Sequence, residues 1–180
     1  MSLKQLIDDC KRNDTQAQSQ IYKLYASKLF SICLKYSRNY AEAEDNLQDA
    51  FITIFKKIDQ FKAKGSFEGW LKRITVNTAL QRYRSVGVFD IVNEDQIEEV
   101  TIEMDDDNIS LDFLLGIIQE LPDRYRLVFN LYVMDDYPHK EIASLLEIST
   151  GTSKSNLARA RSILKDKIEQ YKAKSNSQSL

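Results

Sequence analysis

Residues 138–164 read PHKEIASLLEISTGTSKSNLARARSIL, and this stretch decides the fold. Ile142, Leu145 and Leu146 recur at helical spacing, a break of two or three residues that carries Ile148 follows, and Leu157 and Leu164 continue the apolar pattern in a second helix from about Ser149 to Tyr171. Two helices so closely joined are a helix-turn-helix. Ala143 supplies a small side chain where the pair crosses, and Ser149 can cap the second helix. The first turns of that helix offer Thr150, Thr152, Lys154, Ser155, Arg159 and Arg161, a set suited to phosphates and base edges. Lys154 and Arg159 fit guanine O6/N7 or phosphate, while the hydroxyls fix register. A plain α-hairpin with a solvated basic face is the bland alternative, and the cap, the small crossing residue and the basic second helix weigh against it.

Working outward, Leu111 to Leu121 is apolar at Leu111, Leu114, Leu115 and Ile118. Pro122 opens a further helix through Leu127, Val128, Leu131 and Tyr132. Four short helices over 113–172 therefore form one domain. Before them, after Ser85, the helical period fades, and the block from residue 85 to 123 holds 12 Asp/Glu and no Lys or Arg. We read 85–112 as an acidic flexible linker, since it has too little patterned apolar surface to offset ordering entropy. Fully extended, it spans roughly 95 Å at about 3.4 Å per residue, the length of some two dozen base pairs. Residues 173–180 read as a disordered tail.

Residues 1–84 make a second helical domain, a bundle of three to four helices. Ile21, Leu24, Tyr25, Leu29, Ile32, Cys33 and Tyr36 stripe one long helix from Thr15 to Arg38. Another starts near Asn39, where Asn39 and Glu42 resemble a capping box, and carries Leu47, Ala50, Phe51, Ile54, Phe55, Ile58 and Phe61. Lys62 to Ser66 interrupts the period, and Ser66 is placed to cap a third helix that reaches Arg84 with Phe67, Leu71, Ile74 and Thr78 toward the core. On the same helix Trp70, Arg73, Asn77, Gln81 and Arg84 fall on one stripe, beside a loop with Lys62, Lys64 and Gly65. Cations, amides and an aromatic in that arrangement suit unpaired nucleotides. The competing reading is the wet side of an ordinary helix, with Trp70 in the core.

Charge supports two modules facing a polyanion. Residues 1–84 carry 15 Lys/Arg against 9 Asp/Glu and residues 124–180 carry 10 against 6, so a net charge of −2 conceals two basic blocks around an acidic one. With 5 Gly and 2 Pro, there is little room for strands and turns, and the expected class is all-α. Cys10 and Cys33 are expected to be buried thiols without a disulfide. No apolar run reaches the roughly 18 residues of a membrane span and no signal-peptide core is present, which predicts a cytoplasmic protein. The single histidine, His139, reads as a surface residue. Without histidine clusters, Gly-x-Gly-x-x-Gly or a Walker loop, neither catalysis nor a cofactor is expected. Asp45 and Asp49, at i and i+4, could bind a divalent ion, but a helical polar face explains them more simply.

Four motifs in order carry a resemblance: Ala43-Glu44-Asp45-Asn46-Leu47-Gln48-Asp49-Ala50-Phe51; Ser66-Phe67-x-x-Trp70-Leu71-x-x-Ile74-x-x-Asn77; Leu121-Pro122; and Gly151-Thr152-Ser153-Lys154-Ser155 through Arg159-Ala160-Arg161. Together, over about residues 10–170, they resemble the extracytoplasmic-function group of bacterial RNA polymerase sigma factors. The resemblance implies that the first domain is sigma region 2 and docks on the clamp of core RNA polymerase through Asp45, Gln48 and Asp49. It implies that Lys62, Lys64, Gly65, Ser66, Arg73, Asn77, Gln81 and Arg84 recognise and melt the −10 promoter DNA. It implies that the second domain is sigma region 4, seated on the polymerase flap, reading −35 DNA with Thr152, Lys154, Ser155, Ala158, Arg159 and Arg161. The linker would thread toward the RNA exit path, its negative charge holding a basic channel until transcript displaces it, and an anti-sigma protein would hold the free factor inactive. The sequence departs from the family at Glu147, where Gly is common, at Pro138 in place of Ser or Thr, and at Ser153 in place of Val. From the residues alone, a stand-alone helix-turn-helix regulator that binds duplex without polymerase is the alternative, and the stripe with Asn77 argues against it.

Overall fold

The computed structural model describes residues 2–85, 87 and 109–177. The chain divides into two compact units, Met1–Val86 and Gly87–Leu180. The acidic run expected to be a flexible linker lies almost wholly outside the described residues. Within them the secondary structure is helical throughout, as the sparse Gly and Pro content predicts.

The first unit holds α1 (Leu3–Lys11), α2 (Thr15–Tyr36), α3 (Tyr40–Lys57) with a 3₁₀ turn over Ile58–Gln60, and α4 (Phe67–Ser85). Each helix starts on a side-chain cap. Ser2 Oγ accepts from the Gln5 N–H, Asp14 from Gln16 and Ala17 at 2.8 and 2.9 Å, Asn39 from Glu42 at 2.8 Å, and Ser66 from Gly69 at 2.9 Å. Such caps contribute about 1 kcal/mol each, and here they fix where each helix begins. Ile21, Leu29 and Cys33 of α2, Ala43, Ala50 and Ile54 of α3, and Leu71, Ala79 and Leu80 of α4 are fully buried together. The face of α4 differs from the sequence reading. Thr75, Val76 and Tyr83 join Leu71 in the core, whereas Ile74 and Thr78 are half-buried. Thr75 can be buried because its hydroxyl donates to the Leu71 carbonyl at 2.9 Å. The last turn of α4 is pinned by the buried Tyr83 hydroxyl, which donates to the Tyr36 carbonyl at 2.7 Å. Cys10 and Cys33 are buried free thiols, and desolvation pushes them up to about 11 and about 12.

The second unit holds α5 (Leu111–Gln119), α6 (Asp123–Phe129) continuing into a π-helical turn over Asn130–Met134, α7 (His139–Leu146) and α8 (Thr150–Ser177). Ile117, Leu121, Leu127, Leu131, Ile142, Leu146, Leu157, Ala160 and Leu164 form its core. Leu111 and Leu115, expected inside, are exposed, and α5 anchors instead through Ile117 and through Phe113, which stacks on Tyr171 at 4.1 Å. The buried Arg126 guanidinium donates to the carbonyls of Gln119 and Leu121, both at 3.4 Å, and to Asp123 at 2.8 Å. It thereby closes the C-terminus of α5, where carbonyls lack helical partners. The tail reading is corrected in part: α8 continues through Ser177, beyond the turns where Lys167 meets Glu120 and Tyr171 stacks on Phe113, while 178–180 lie outside the described residues.

Candidate nucleic-acid interfaces

In the first unit the loop ahead of α4 is built from unusual backbone. Ala63 and Gly65 both have positive φ, 52° and 106°, and at Gly65 the conformation itself calls for glycine, because nothing lies within 4 Å of where a Cβ would stand. Two exposed lysines, Lys62 and Lys64, are presented beside this bend. Ser66 is occupied as the cap of α4. Trp70 packs between Phe61 and Phe67, with centroids at 5.5 and 5.8 Å, and remains half-buried. It thus belongs to an aromatic cluster that closes the lower end of the stripe.

Further along α4, Arg73 and Gln81 are exposed, and Asn77 and Arg84 are half-buried. Asn77 Nδ2 donates to the Arg73 carbonyl at 2.9 Å, and Arg84 Nη2 stands 3.5 Å from Asn77 Oδ1. The structure therefore places Arg73, Asn77, Gln81 and Arg84 along one accessible side of α4, above a loop that carries Lys62, Lys64 and Gly65.

Asp45, Gln48 and Asp49 share the exposed face of α3, opposite Ala43, Asn46 and Ala50, which are buried. A residue that sequence reasoning missed joins them. Arg82 of α4 lies 3.6 Å from Asp45 and 3.7 Å from Asp49. No local spacing announces this contact, which exists only because α3 packs on α4. On the far end of α4, Glu68 is held below the usual carboxylate range by hydrogen bonds from Lys28 and Lys72.

In the second unit α7 and α8 form the expected helix-turn-helix. Glu147 ends α7 in the left-handed region, φ 57° and ψ 43°, and the N–H of Ile148 returns to the Ala143 carbonyl at 3.0 Å. Ser149 Oγ caps α8 by accepting from the Thr152 N–H at 2.9 Å. Lys154 and Arg159 are exposed, and Thr152, Ser155 and Arg161 are half-buried. Ala158 departs from the expectation: at 7% exposure it is buried, whereas Lys154 and Arg159 lie open. His139 is corrected as well. Instead of lying free on the surface it is half-buried, stacked on Tyr132 with centroids at 4.5 Å, with Nδ1 2.9 Å from the hydroxyl of the fully buried Ser153. Burial, followed by the charges of Lys154 and Arg161, lowers its pKa and favours the neutral ring.

Among the described residues no helix is long and apolar enough to cross a membrane. Residues 21–87 match the model of Sigma-70 region 2, and residues 114–164 match that of Sigma-70, region 4. The ECF RNA polymerase sigma factor SigW of Bacillus subtilis (strain 168) is 31% identical over 93% of this chain and 97% of its own length. The ECF RNA polymerase sigma-E factor of Escherichia coli (strain K12) is 26% identical over 91% of this chain and 93% of its own. Among solved structures, the sigma factor RpoE in complex with the anti-sigma factor NepR from Bartonella quintana shares the fold, with a TM-score of 0.54 at 22% identity, covering 84% of this chain and 96% of that one.

Proposed function

The chain belongs to the extracytoplasmic-function sigma factors of bacterial RNA polymerase, and from that premise we propose which residues carry each step of promoter recognition. It binds core RNA polymerase and directs promoter-specific initiation by recognising −35 and −10 elements and helping to open the DNA. In our reading residues 1–84 work as region 2, residues 113–172 as region 4, and residues 85–112 as the acidic connector between them.

Polymerase binding is assigned to Asp45, Gln48 and Asp49. Their exposure on one side of α3 supports this, because a surface for a basic partner needs carboxylates held at fixed spacing rather than buried. Recognition and melting of the −10 element are assigned to Arg73, Asn77, Gln81 and Arg84 with the Lys62, Lys64, Gly65 and Ser66 loop. Cations there meet phosphates while amides meet the edges of bases leaving the stack. Ser66 acts through the backbone it caps. Reading of the −35 element is assigned to Thr152, Lys154, Ser155, Arg159 and Arg161 at the start of α8, with the helix in the major groove. The chain itself then supplies binding energy and positioning, not catalysis.

The observation that carries this reading is the presence, in one chain, of an amide-and-cation stripe for single strands and a helix-turn-helix for duplex. We further propose that the protein works in the cytoplasm and that an anti-sigma protein restrains the free factor. The structural relative captured with such a partner supports the latter. Mixing the full chain with core polymerase should give a co-migrating complex that renders promoter thymines permanganate-reactive. Reactivity confined to background, or tight specific duplex binding without polymerase, would count against the assignment.

A further inference from the structure

We propose that His139 is a positioning residue for −35 discrimination: through its hydrogen bond to Ser153 it sets the rotation of α8 in the major groove. The inference rests on the assignment of α8 as the −35 reader.

Ser153 lies in the first turn of α8, between Thr152 and Lys154, and is fully buried. A hydroxyl in that position needs a partner, since an unpaired buried polar group costs more than the bond returns. Its partner is Nδ1 of His139, the first residue of α7, at 2.9 Å. The imidazole is itself held from the other side. It lies on the Tyr132 ring at an interplanar angle of 20°, and Tyr132 belongs to the π-helical turn that follows α6. One ring therefore joins three elements at the point where the reading helix begins.

The hydroxyl of Ser153 gives this junction a direction. An apolar side chain there would pack without directional preference, whereas a hydroxyl bonded to a clamped ring accepts only a narrow range of angles. The consequence for readout is geometric. A rotation of α8 by about 20°, at a side-chain radius of about 5–6 Å, moves a head group by about 2 Å. Base-edge hydrogen bonds tolerate only a few tenths of an ångström. Phosphate contacts by a long lysine survive such a shift, so loss of the bond should lower discrimination more than overall DNA affinity.

The test uses holoenzyme reconstituted from core polymerase and the full chain, on a promoter found by run-off transcription of genomic DNA and on the same promoter with its −35 element scrambled. The ratio of transcripts from the two templates is the readout. His139→Ala and Ser153→Ala should each lower it about five- to tenfold, and the double variant should lose no more than either alone. His139→Asn, which keeps a polar group near the place of Nδ1, should retain most of the ratio; if an alanine variant fails to fold, His139→Phe, which keeps a ring on Tyr132 but offers Ser153 no hydrogen bond, takes its place and should lower the ratio likewise. An unchanged ratio in a folded alanine or phenylalanine variant, an equal fall on both templates, or losses that multiply in the double variant would each overturn the proposal. If the parent chain itself does not discriminate between the templates, it is the assignment of α8 that fails.

Discussion

Asn77 is turned back on its own helix, its Nδ2 donating to the carbonyl of Arg73 at 2.9 Å. A base leaving the duplex must replace that bond, which is an exchange of one hydrogen bond for another and costs little. Asn77→Ala removes the amide while installing a better helix former. The variant should therefore fold and bind core polymerase like the parent, yet open promoters poorly. Permanganate footprinting beside a core-binding titration checks both halves, and parallel loss of the two would show that the residue serves the fold instead.

Arg82, at 3.6 and 3.7 Å from Asp45 and Asp49, bridges exposed carboxylates. Exposed pairs of this kind contribute about 0.2–1 kcal/mol. Asp49→Ala should thus leave the unfolding midpoint nearly unchanged while weakening the complex with core polymerase, more so at low salt, where Coulomb attraction is least screened. Anisotropy titrations of labelled protein with core enzyme at two ionic strengths would measure this. Parent-like affinity at both would remove Asp49 from the interface.

How much of this was legible in the sequence depends on whether the deciding contact was local. The helix-turn-helix was legible because Ile142, Leu146, Leu157 and Leu164 keep one period and Ser149 caps the second helix, and all of them are placed as the pattern requires. The signal for α1 is also local, with Ser2 before Leu6, Ile7 and Cys10, but three buried apolar residues in nine are too few to set a period. Hydropathy runs the core face of α4 through Ile74 instead of Thr75, because it cannot see a threonine hydroxyl satisfied by its own helix. Arg82 and the His139–Ser153 pair were beyond any periodicity. They join residues 33 to 37 positions apart, or 14 positions apart across a turn, and only packing brings them together.

Glu147 holds the left-handed turn conformation that suits glycine, at φ 57°. Relieving it should stabilise the second unit by about 1 kcal/mol in Glu147→Gly, less whatever entropy glycine adds to the unfolded chain. The chain's one tryptophan, Trp70, lies in the first unit. Urea unfolding followed by far-ultraviolet circular dichroism should register the gain, while tryptophan fluorescence should stay unchanged. A lowered midpoint would mean that Glu147 makes a compensating contact.

His139 links stability to pH. Its pKa is lowered in the folded chain by burial, then by Lys154 and Arg161 of α8, and the ring faces Tyr132 on its other side. Below its ordinary value of about 6.5 the unfolded chain binds a proton that the folded chain resists. The stability this group contributes is therefore present above about pH 6.5 and is lost as pH falls toward the lower folded value. Thermal unfolding of the parent and of His139→Asn between pH 7.5 and 5.5 should show a smaller acid loss in the variant. Equal slopes would exclude His139 as the source.

Arg159 is exposed on α8 nearly three turns from the Ser149 cap, where a guanidinium can reach either a base edge or a phosphate. These differ in what they predict. A bidentate contact to guanine O6/N7 gives Arg159→Ala a loss of about 1–3 kcal/mol on the preferred −35 sequence and little on others. A phosphate contact gives a uniform loss with a shallower dependence on salt. We expect the first pattern, since Lys154 and the helix N-terminus already supply charge and donors for the backbone. Holoenzyme binding to a set of single-base −35 variants, with parent and Arg159→Ala chains, would reveal it as relaxed preference at one base pair. Uniform weakening across the set would instead assign Arg159 to the phosphates and leave base reading to Lys154 and its neighbours.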